Sequence, residues 1–172
     1  FPAVVIVPQC PDNAAWSVFP HRRDTSASFN LKLNTDTLST PERLVKLLMD
    51  SLADKKRIDK KRIYLGGLSL GGFGTYDLII HYPDFFAAAF PICGQANVPL
   101  YVRTASHLPL WIFHGAKDNV VNPQPDRDLI KALRDAGIRT AEYTEYPEAN
   151  HNSWDSAFAE PGLLSWLFAQ KK

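Results

Sequence analysis

The chain has 172 residues, of which 45% are hydrophobic and 22% are charged. This composition is typical of a globular protein, and the length fits one domain with a single core. The formal net charge is +1, from 19 basic and 18 acidic side chains, so we expect neither nucleic acid nor an anionic membrane as a partner. No apolar run in the sequence reaches the roughly 18 residues of a membrane-spanning helix.

Two cysteines, Cys10 and Cys93, are too few for a disulfide framework, and neither has a second cysteine at metal-ligand spacing. We expect two free thiols rather than one bond between them, which leaves a secreted and a cytoplasmic location both open. The chain begins on Phe1 and runs directly into a predicted strand. We therefore expect its natural beginning to lie upstream.

The first part of the chain predicts one strand, a loop and a helix. Ala3–Val7 is a continuous, largely β-branched run, which is typical of a strand covered on both faces. Residues 11–38 carry turn formers without a sustained period and indicate a loop. From Ser39 or Thr40 onward, an N-cap and a proline precede leucines at helical spacing. These leucines are Leu44, Leu47, Leu48 and Leu52.

The rest of the chain alternates short apolar strands with helices. Strands are predicted at residues 62–67, 86–93, 108–115 and 140–147, and helices at residues 71–82, 126–137 and 161–172. This alternation predicts a three-layer α/β fold, with a mostly parallel sheet and helices on both faces. In such sheets the functional residues lie beyond the C-terminal ends of the strands.

Ser69 stands among glycines between a predicted strand and a predicted helix, in the pattern G-x-S-x-G over residues 67–71. A turn this tight holds the serine at strained backbone angles and pushes its hydroxyl clear of the sheet. We expect the flanking glycines to avoid clashes of a Cβ with the neighbouring strand or helix. The N–H of Leu70 is then placed to donate to an oxyanion formed at a carbonyl that Ser69 attacks. A glycine-rich packing turn with an ordinary serine is the alternative.

A serine nucleophile needs a base, which in this kind of sheet follows it in the chain. His81 lies about 18 Å along the predicted helix from Ser69, and His107 precedes a strand instead of following one. His114 ends a strand and is placed to line the site, but it precedes every candidate acid. His151 follows the last strand and is the predicted base; the alternative is a surface histidine bonded to a neighbouring asparagine.

The base needs an acid to orient it. Asp118 lies three residues beyond a predicted strand end, so we expect it to accept the ring N–H of His151 and fix the tautomer. A turn-forming aspartate is the alternative for this residue. Glu148 and Asp155 rank lower, because residues so close to His151 in sequence seldom fold back onto its ring.

Two tryptophans are candidates for substrate binding. Trp154 follows His151 by three residues, and we expect it either to wall the pocket or to belong to the core. Trp16, in the long loop after the first predicted strand, is the second candidate. The sequence has no apolar insertion of the kind that forms a lid, which favours a small or aromatic acyl group over a long-chain lipid.

Three segments together resemble the α/β-hydrolase superfamily: GLSLGGFGTYDLIIHYPDFFAAAFPICG, PLWIFHGAKDNVV and YTEYPEANHNSW. More narrowly, they resemble its phospholipase/carboxylesterase-like and feruloyl-esterase-like branch, which is often fused to accessory domains. The resemblance covers the chain from about Val4 to its end and implies no metal or organic cofactor. The site that it implies consists of the nucleophile Ser69, the acid Asp118, the base His151 and the oxyanion donor Leu70.

The resemblance also implies a segment that this sequence does not contain. Family members carry a further strand upstream, ending in an H-G-x-G type loop that supplies the second oxyanion N–H. We therefore interpret residues 1–172 as a single α/β-hydrolase catalytic domain that lacks its N-terminal strands. We expect it to associate with that missing segment or with an accessory domain.

The expected function is hydrolysis of carboxylic esters with short-chain or aromatic acyl groups, including esters linked to polysaccharides, through an acyl-enzyme. Two alternatives use the same triad, namely a peptidase of the prolyl-oligopeptidase type and a thioesterase. A third is a hydrolase-like module that binds carbohydrate or protein without catalysis. The presence of all three triad residues argues against this third alternative.

Overall fold

The structure is a computed structural model that describes residues 2–18, 37–54 and 58–172. In these residues, four strands pair in parallel to form one sheet in the order β1-β2-β3-β4. The strands are β1 (Tyr64–Leu68), β2 (Ala88–Ile92), β3 (Leu110–Gly115) and β4 (Ala141–Tyr146). The helices are α1 (Thr40–Ala53), α2 (Leu70–His81), α3 (Val98–Thr104), α4 (Gln124–Asp135), α5 (Trp154–Phe158) and α6 (Leu163–Ala169). None of these helices has both the length and the apolar character to cross a bilayer.

Hydrophobic residues cover both faces of the sheet, because successive side chains along a strand point to opposite sides. On β3, Leu110 and Ile112 join a core cluster with residues of α1, α2, α3 and α4. Trp111 and Phe113, which alternate with them, join a second cluster with residues of α5 and α6. The predicted three-layer α/β fold is therefore confirmed.

The prediction of a strand at Ala3–Val7 is wrong, although the structure describes all five of these residues. This segment has no assigned secondary structure, and its side chains are exposed, with Val5 at 80% and Val7 at 87%. A β-branched run favours extended backbone, but a strand also needs a neighbour whose N–H and C=O groups pair with its own. None of the four described strands pairs with this segment.

Helix α1 begins as predicted, but another of its faces is the buried one. Ser39 is the N-cap: its Oγ accepts from the Glu42 N–H at 3.3 Å, and the Glu42 carboxylate accepts from the Ser39 N–H at 2.6 Å. Val45 and Met49 pack against the core, whereas Leu47 is 63% exposed. Both faces are apolar at helical spacing, so periodicity alone does not decide which one is buried.

Two short helices were not predicted. Helix α3 lies in what the sequence indicated as a connection between strands, and Asn97 caps it by accepting from the Leu100 N–H at 3.2 Å. Helix α5 follows the predicted base directly. Both helices are one or two turns long, which is too short for a hydrophobic period to stand out from a loop.

Candidate active site

Ser69 joins the end of β1 to the start of α2 with φ 53° and ψ −118°, a backbone conformation that a residue with a side chain rarely adopts. Backbone hydrogen bonds to β2 and to α2 fix this turn. The Ser69 N–H donates to the Ile92 carbonyl at 2.9 Å, and the Ser69 carbonyl accepts from the Phe73 N–H at 3.1 Å. Its Oγ makes no capping bond to α2, so the hydroxyl is available to another partner.

The glycines around Ser69 do not all serve the same purpose. A Cβ on Gly67 would lie 2.3 Å from the Gly71 carbonyl oxygen, and one on Gly72 would lie 2.7 Å from that of Ile92. At these two positions the expected clash with the neighbouring helix or strand is confirmed. For Gly71 the expectation is wrong: apart from its chain neighbours and the backbone of its own helix, no described residue lies within 4 Å of the place a Cβ would take.

The structure brings Ser69, His151 and Asp118 into one chain of contacts. Ser69 Oγ lies 2.9 Å from His151 Nε2, and His151 Nδ1 lies 2.8 Å from Asp118 Oδ2. The Asp118 side chain is fully buried, while the His151 side chain is 19% exposed. The three residues follow β1, β4 and β3 respectively, so the site lies at the C-terminal edge of the sheet, where such sites are expected.

Two backbone amides fix the Asp118 carboxylate. Its Oδ1 accepts from the N–H groups of Val120 and Val121, both at 2.9 Å, which leaves Oδ2 for His151. Because a carboxylate oxygen only accepts, the proton of the neutral imidazole belongs on Nδ1. The lone pair of Nε2 then faces the Ser69 hydroxyl, which is the tautomer that a general base needs.

The other candidate bases and acids have different partners. Glu148 forms a surface ion pair with a lysine, and Asp155 accepts from an asparagine side chain at 3.3 Å. His81 Nδ1 lies 2.8 Å from a carbonyl of its own helix, and His107 lies 3.1 Å from an exposed aspartate. Each of these interactions lies outside the contacts that join Ser69, His151 and Asp118.

Asn150 connects the loop that carries His151 to the loop that carries Asp118. Its side-chain oxygen accepts from the His151 N–H at 2.8 Å and from the Asn119 N–H at 3.0 Å. The loop also approaches the end of β3 closely, since a Cβ on Gly115 would lie 2.3 Å from the Asn150 carbonyl oxygen. Asn150 therefore bonds the backbone of His151, and the ring of that histidine is left to Ser69 and Asp118.

Residues 4–162 match the dienelactone hydrolase family. The chain belongs to this family of α/β-hydrolases.

Similar proteins include esterases and a depolymerase. A bifunctional acetylxylan esterase/xylanase of Neocallimastix patriciarum is 29% identical over 118 residues, covering 69% of this chain and 17% of its own. A poly(3-hydroxyoctanoate) depolymerase of Pseudomonas fluorescens is 35% identical over 121 residues, covering 65% of this chain and 42% of its own. The crystal structure of a thermostable esterase superposes with a TM-score of 0.82 at 34% identity, covering 96% of this chain and 43% of that one.

Two of these three relatives are named as esterases. The chain spans less than half the length of each of the three relatives.

In this member of the dienelactone hydrolase family, the sulfur of Cys93 lies close to Asp118 and His151. Ligand atoms of Cys93, Asp118 and His151 lie within 4.8 Å of one another. Burial raises the pKa of the Cys93 thiol to about 11, which favours the uncharged thiol. Since Asp118 and His151 are also bonded to each other, the cluster suits a triad better than a metal site. Cys10 and Cys93 are both free thiols, as expected.

Trp154 contacts both the His151 ring and the hydrophobic core. Its ring meets the His151 ring edge to face, with centroids 5.4 Å apart and planes at 84°, and it packs against the core cluster under α5 and α6. Trp16 lies against α2 at Gly74, where a Cβ would come within 2.8 Å of it. Binding of substrate by either tryptophan stays a prediction.

Leu70 is the first residue of α2. The first N–H groups of a helix have no partner within it, so this amide is available beside Ser69. Its role as an oxyanion donor stays a prediction.

His114, which the sequence placed at the lining of the site, is instead buried behind Asp118, and its pairing with Asp126 was not predicted. His114 and Asp126 are both completely buried, and their side chains lie 2.7 Å apart. The one signal in the sequence is the position of His114 in the apolar strand LWIFHG, where a polar side chain needs a buried partner.

Proposed function

We propose that the chain is a serine carboxylesterase that works through an acyl-enzyme on Ser69. The observation that supports this most strongly is the continuous arrangement of Ser69 Oγ, the His151 ring and the Asp118 carboxylate, with contacts of 2.9 and 2.8 Å. The strained turn at Ser69 adds support, because such strain is concentrated at functional sites.

In the proposed reaction, Ser69 Oγ attacks the carbonyl carbon of the ester while His151 Nε2 accepts the hydroxyl proton. The buried carboxylate of Asp118 stabilises the imidazolium that forms. The C–O bond to the alcohol then breaks, and His151 returns the proton to the leaving oxygen. Water repeats both steps on the acyl-enzyme, which releases the acid and restores Ser69.

The proposed oxyanion site includes the Leu70 N–H at the positive end of α2. One such donor is typically worth a factor of about 10²–10³ in rate, so a second donor matters. By the family resemblance, we assign the second donor to a strand and loop that associate with this chain. Adding a peptide or domain that carries this loop is then expected to raise kcat without changing the role of Ser69.

The proposed substrates are esters with short-chain or aromatic acyl groups, including those carried on polysaccharides. Two observations support this class. One relative is named for acetylxylan, and the edge of Trp154 against His151 provides an aromatic surface beside the reacting atoms. Measured kcat/KM values with short-chain, feruloyl, acetyl-xylan and long-chain esters test this proposal, and thioester and amide analogues test the alternative activities. A preference for long-chain, thioester or amide substrates would contradict it.

Ser69→Ala tests the role of the nucleophile. We expect hydrolysis of short p-nitrophenyl esters to fall to the uncatalysed level, while circular dichroism shows an unchanged fold. Ser156→Ala, on the exposed surface of α5, is the matched control and should retain full activity. If a folded Ser69→Ala protein keeps most of its activity, the proposed function is wrong.

A further inference from the structure

A second buried pair lies directly behind the proposed acid. His114 is the penultimate residue of β3 and Asp126 lies in the first turn of α4, and both are completely buried. His114 Nδ1 lies 2.7 Å from Asp126 Oδ2, and its Nε2 lies 3.1 Å from the Val121 carbonyl oxygen. The same Nε2 lies 3.3 Å from Asp118 Oδ2, the oxygen that faces His151.

Both ring nitrogens of His114 therefore face acceptors. A neutral imidazole has one N–H and would turn its remaining lone pair towards an acceptor, whereas an imidazolium donates from both nitrogens. Burial on its own lowers the pKa of His114, but the hydrogen bond and charge of Asp126, the Val121 carbonyl and the charge of Asp118 together raise it. The site thus fits a cation between two carboxylates.

Among the described residues, the other titratable groups that face His114 and Asp126 are neutral or already paired. Tyr76, fully buried, donates from its hydroxyl to Asp126 Oδ1 at 2.8 Å, and its pKa is raised well above the ordinary value by burial and by Asp126. Glu145 on β4 is bound by both ends of the Arg127 guanidinium at 2.8 Å, so these two charges balance. The other titratable groups near the pair are the neutral Tyr143 hydroxyl on β4, the neutral Cys93 thiol after β2, and His151.

We propose that His114 is a positioning residue of the active site: as a buried imidazolium held by Asp126, it keeps the Asp118 carboxylate charged and aimed at His151. The inference rests on the proposed function of the triad. A cation behind Asp118 offsets part of the negative potential that the two carboxylates create at His151. Without that cation, Asp118 and Asp126 leave two uncompensated negative charges in the interior, and His151 binds its proton more tightly.

The test is the pH dependence of kcat/KM for a short p-nitrophenyl ester in His114→Gln. We expect the acidic limb of the pH profile of kcat/KM to move to higher pH by about one unit in this variant. At pH values on that limb, kcat/KM should then be roughly tenfold lower than in the wild type. The change should appear with little effect on KM, because His114 is too deeply buried to contact substrate. His107→Gln changes an exposed histidine on the same chain and should leave the profile unchanged. A folded His114→Gln protein with the wild-type profile would overturn the inference, even if it is less stable.

Two further measurements cover the case in which His114→Gln does not fold. Asp126→Asn retains the His114 ring but removes the carboxylate that stabilises its charged form. The acidic limb of the kcat/KM profile should therefore move in the same direction as in His114→Gln, by a smaller amount. An unchanged acidic limb counts against the inference. Nitrogen-15 NMR of the wild-type protein should show protons on both ring nitrogens of His114 at neutral pH, and a single protonated nitrogen would overturn it. Failure of the triad itself is distinguished by Ser69→Ala, which would then retain activity.

Discussion

Asp118→Asn is an informative change because the structure determines how the new side chain must lie. The N–H groups of Val120 and Val121 both donate to Asp118 Oδ1, so the asparagine keeps its carbonyl oxygen there. Its NH₂ group then occupies the place of Oδ2 and donates to His151 Nδ1. The proton of the neutral ring moves to Nε2, on the side that faces Ser69.

The variant therefore holds His151 in the tautomer that cannot accept the serine proton. We expect kcat to fall roughly 10⁴-fold, the size of the effect when the aspartate of a serine protease triad is changed to asparagine, which corresponds to about 5.5 kcal/mol. KM should change little, because the Asp118 side chain is fully buried. The assay is kcat and KM for a short p-nitrophenyl ester, with thermal unfolding to show that the variant is folded.

Asp155→Asn provides the matched control for that experiment. Asp155 is an exposed acid near His151 in sequence, and its contact is with the Asn152 side chain. Its substitution should leave kcat close to the wild-type value. The reasoning is refuted if folded Asp118→Asn stays within about tenfold of wild type, or if Asp155→Asn shows the larger loss.

Three further predictions concern packing, pH and loop position. Gly67→Ala places a Cβ 2.3 Å from the Gly71 carbonyl oxygen and should lower the free energy of unfolding, measured in urea, by about 2 kcal/mol or more. Gly71→Ala places its Cβ where no clash is expected, so its free energy of unfolding should be unchanged or higher by up to about 1 kcal/mol. Equal losses in the two variants would contradict the turn geometry. Burial raises the pKa of Glu42 to about 8, so the folded state binds this proton more tightly than the unfolded state, and the free energy of unfolding should fall as pH rises from about 4.5 to about 8. Urea titrations of Glu42→Gln should show a weaker decline, and an unchanged decline would assign the effect to other groups. Asn150→Ala removes the acceptor for two backbone N–H groups, so it should destabilise the protein by about 1–3 kcal/mol and lower kcat. Asn152 is exposed, and Asn152→Ala should change neither stability nor kcat. Similar results for both variants would contradict the role of Asn150.

The fold and the candidate triad were predictable because their signals are local. A strand followed by G-x-S-x-G and a helix places Ser69 at a strand end, and alternation of strands and helices predicts the parallel sheet. Asp118 and His151 each follow a strand of that sheet, so they arrive at the same edge. Chain order and the edge of the sheet were sufficient to choose them over the other acids and histidines.

The features that sequence did not predict depend on what lies around a residue. His114 and Asp126 are both polar residues at element ends, and only their burial against Asp118 reveals them as a pair. Gly67 and Gly71 are equivalent in the sequence pattern. A Cβ on Gly67 would clash with a backbone carbonyl, whereas a Cβ on Gly71 would meet no such neighbour. The exposed Ala3–Val7 run fails as a strand for the same reason, since pairing needs a neighbour that local propensity does not supply.

The most direct test of the central claim is to label the full-length protein with a fluorophosphonate and map the modified residue by mass spectrometry of its peptides. A hydroxyl activated by an imidazole attacks phosphorus as it would attack an ester carbonyl, so the account predicts one phosphonylated residue, Ser69, and a strong loss of labelling in His151→Ala. Labelling at another serine, or labelling of Ser69 that is equally fast in His151→Ala, would contradict it.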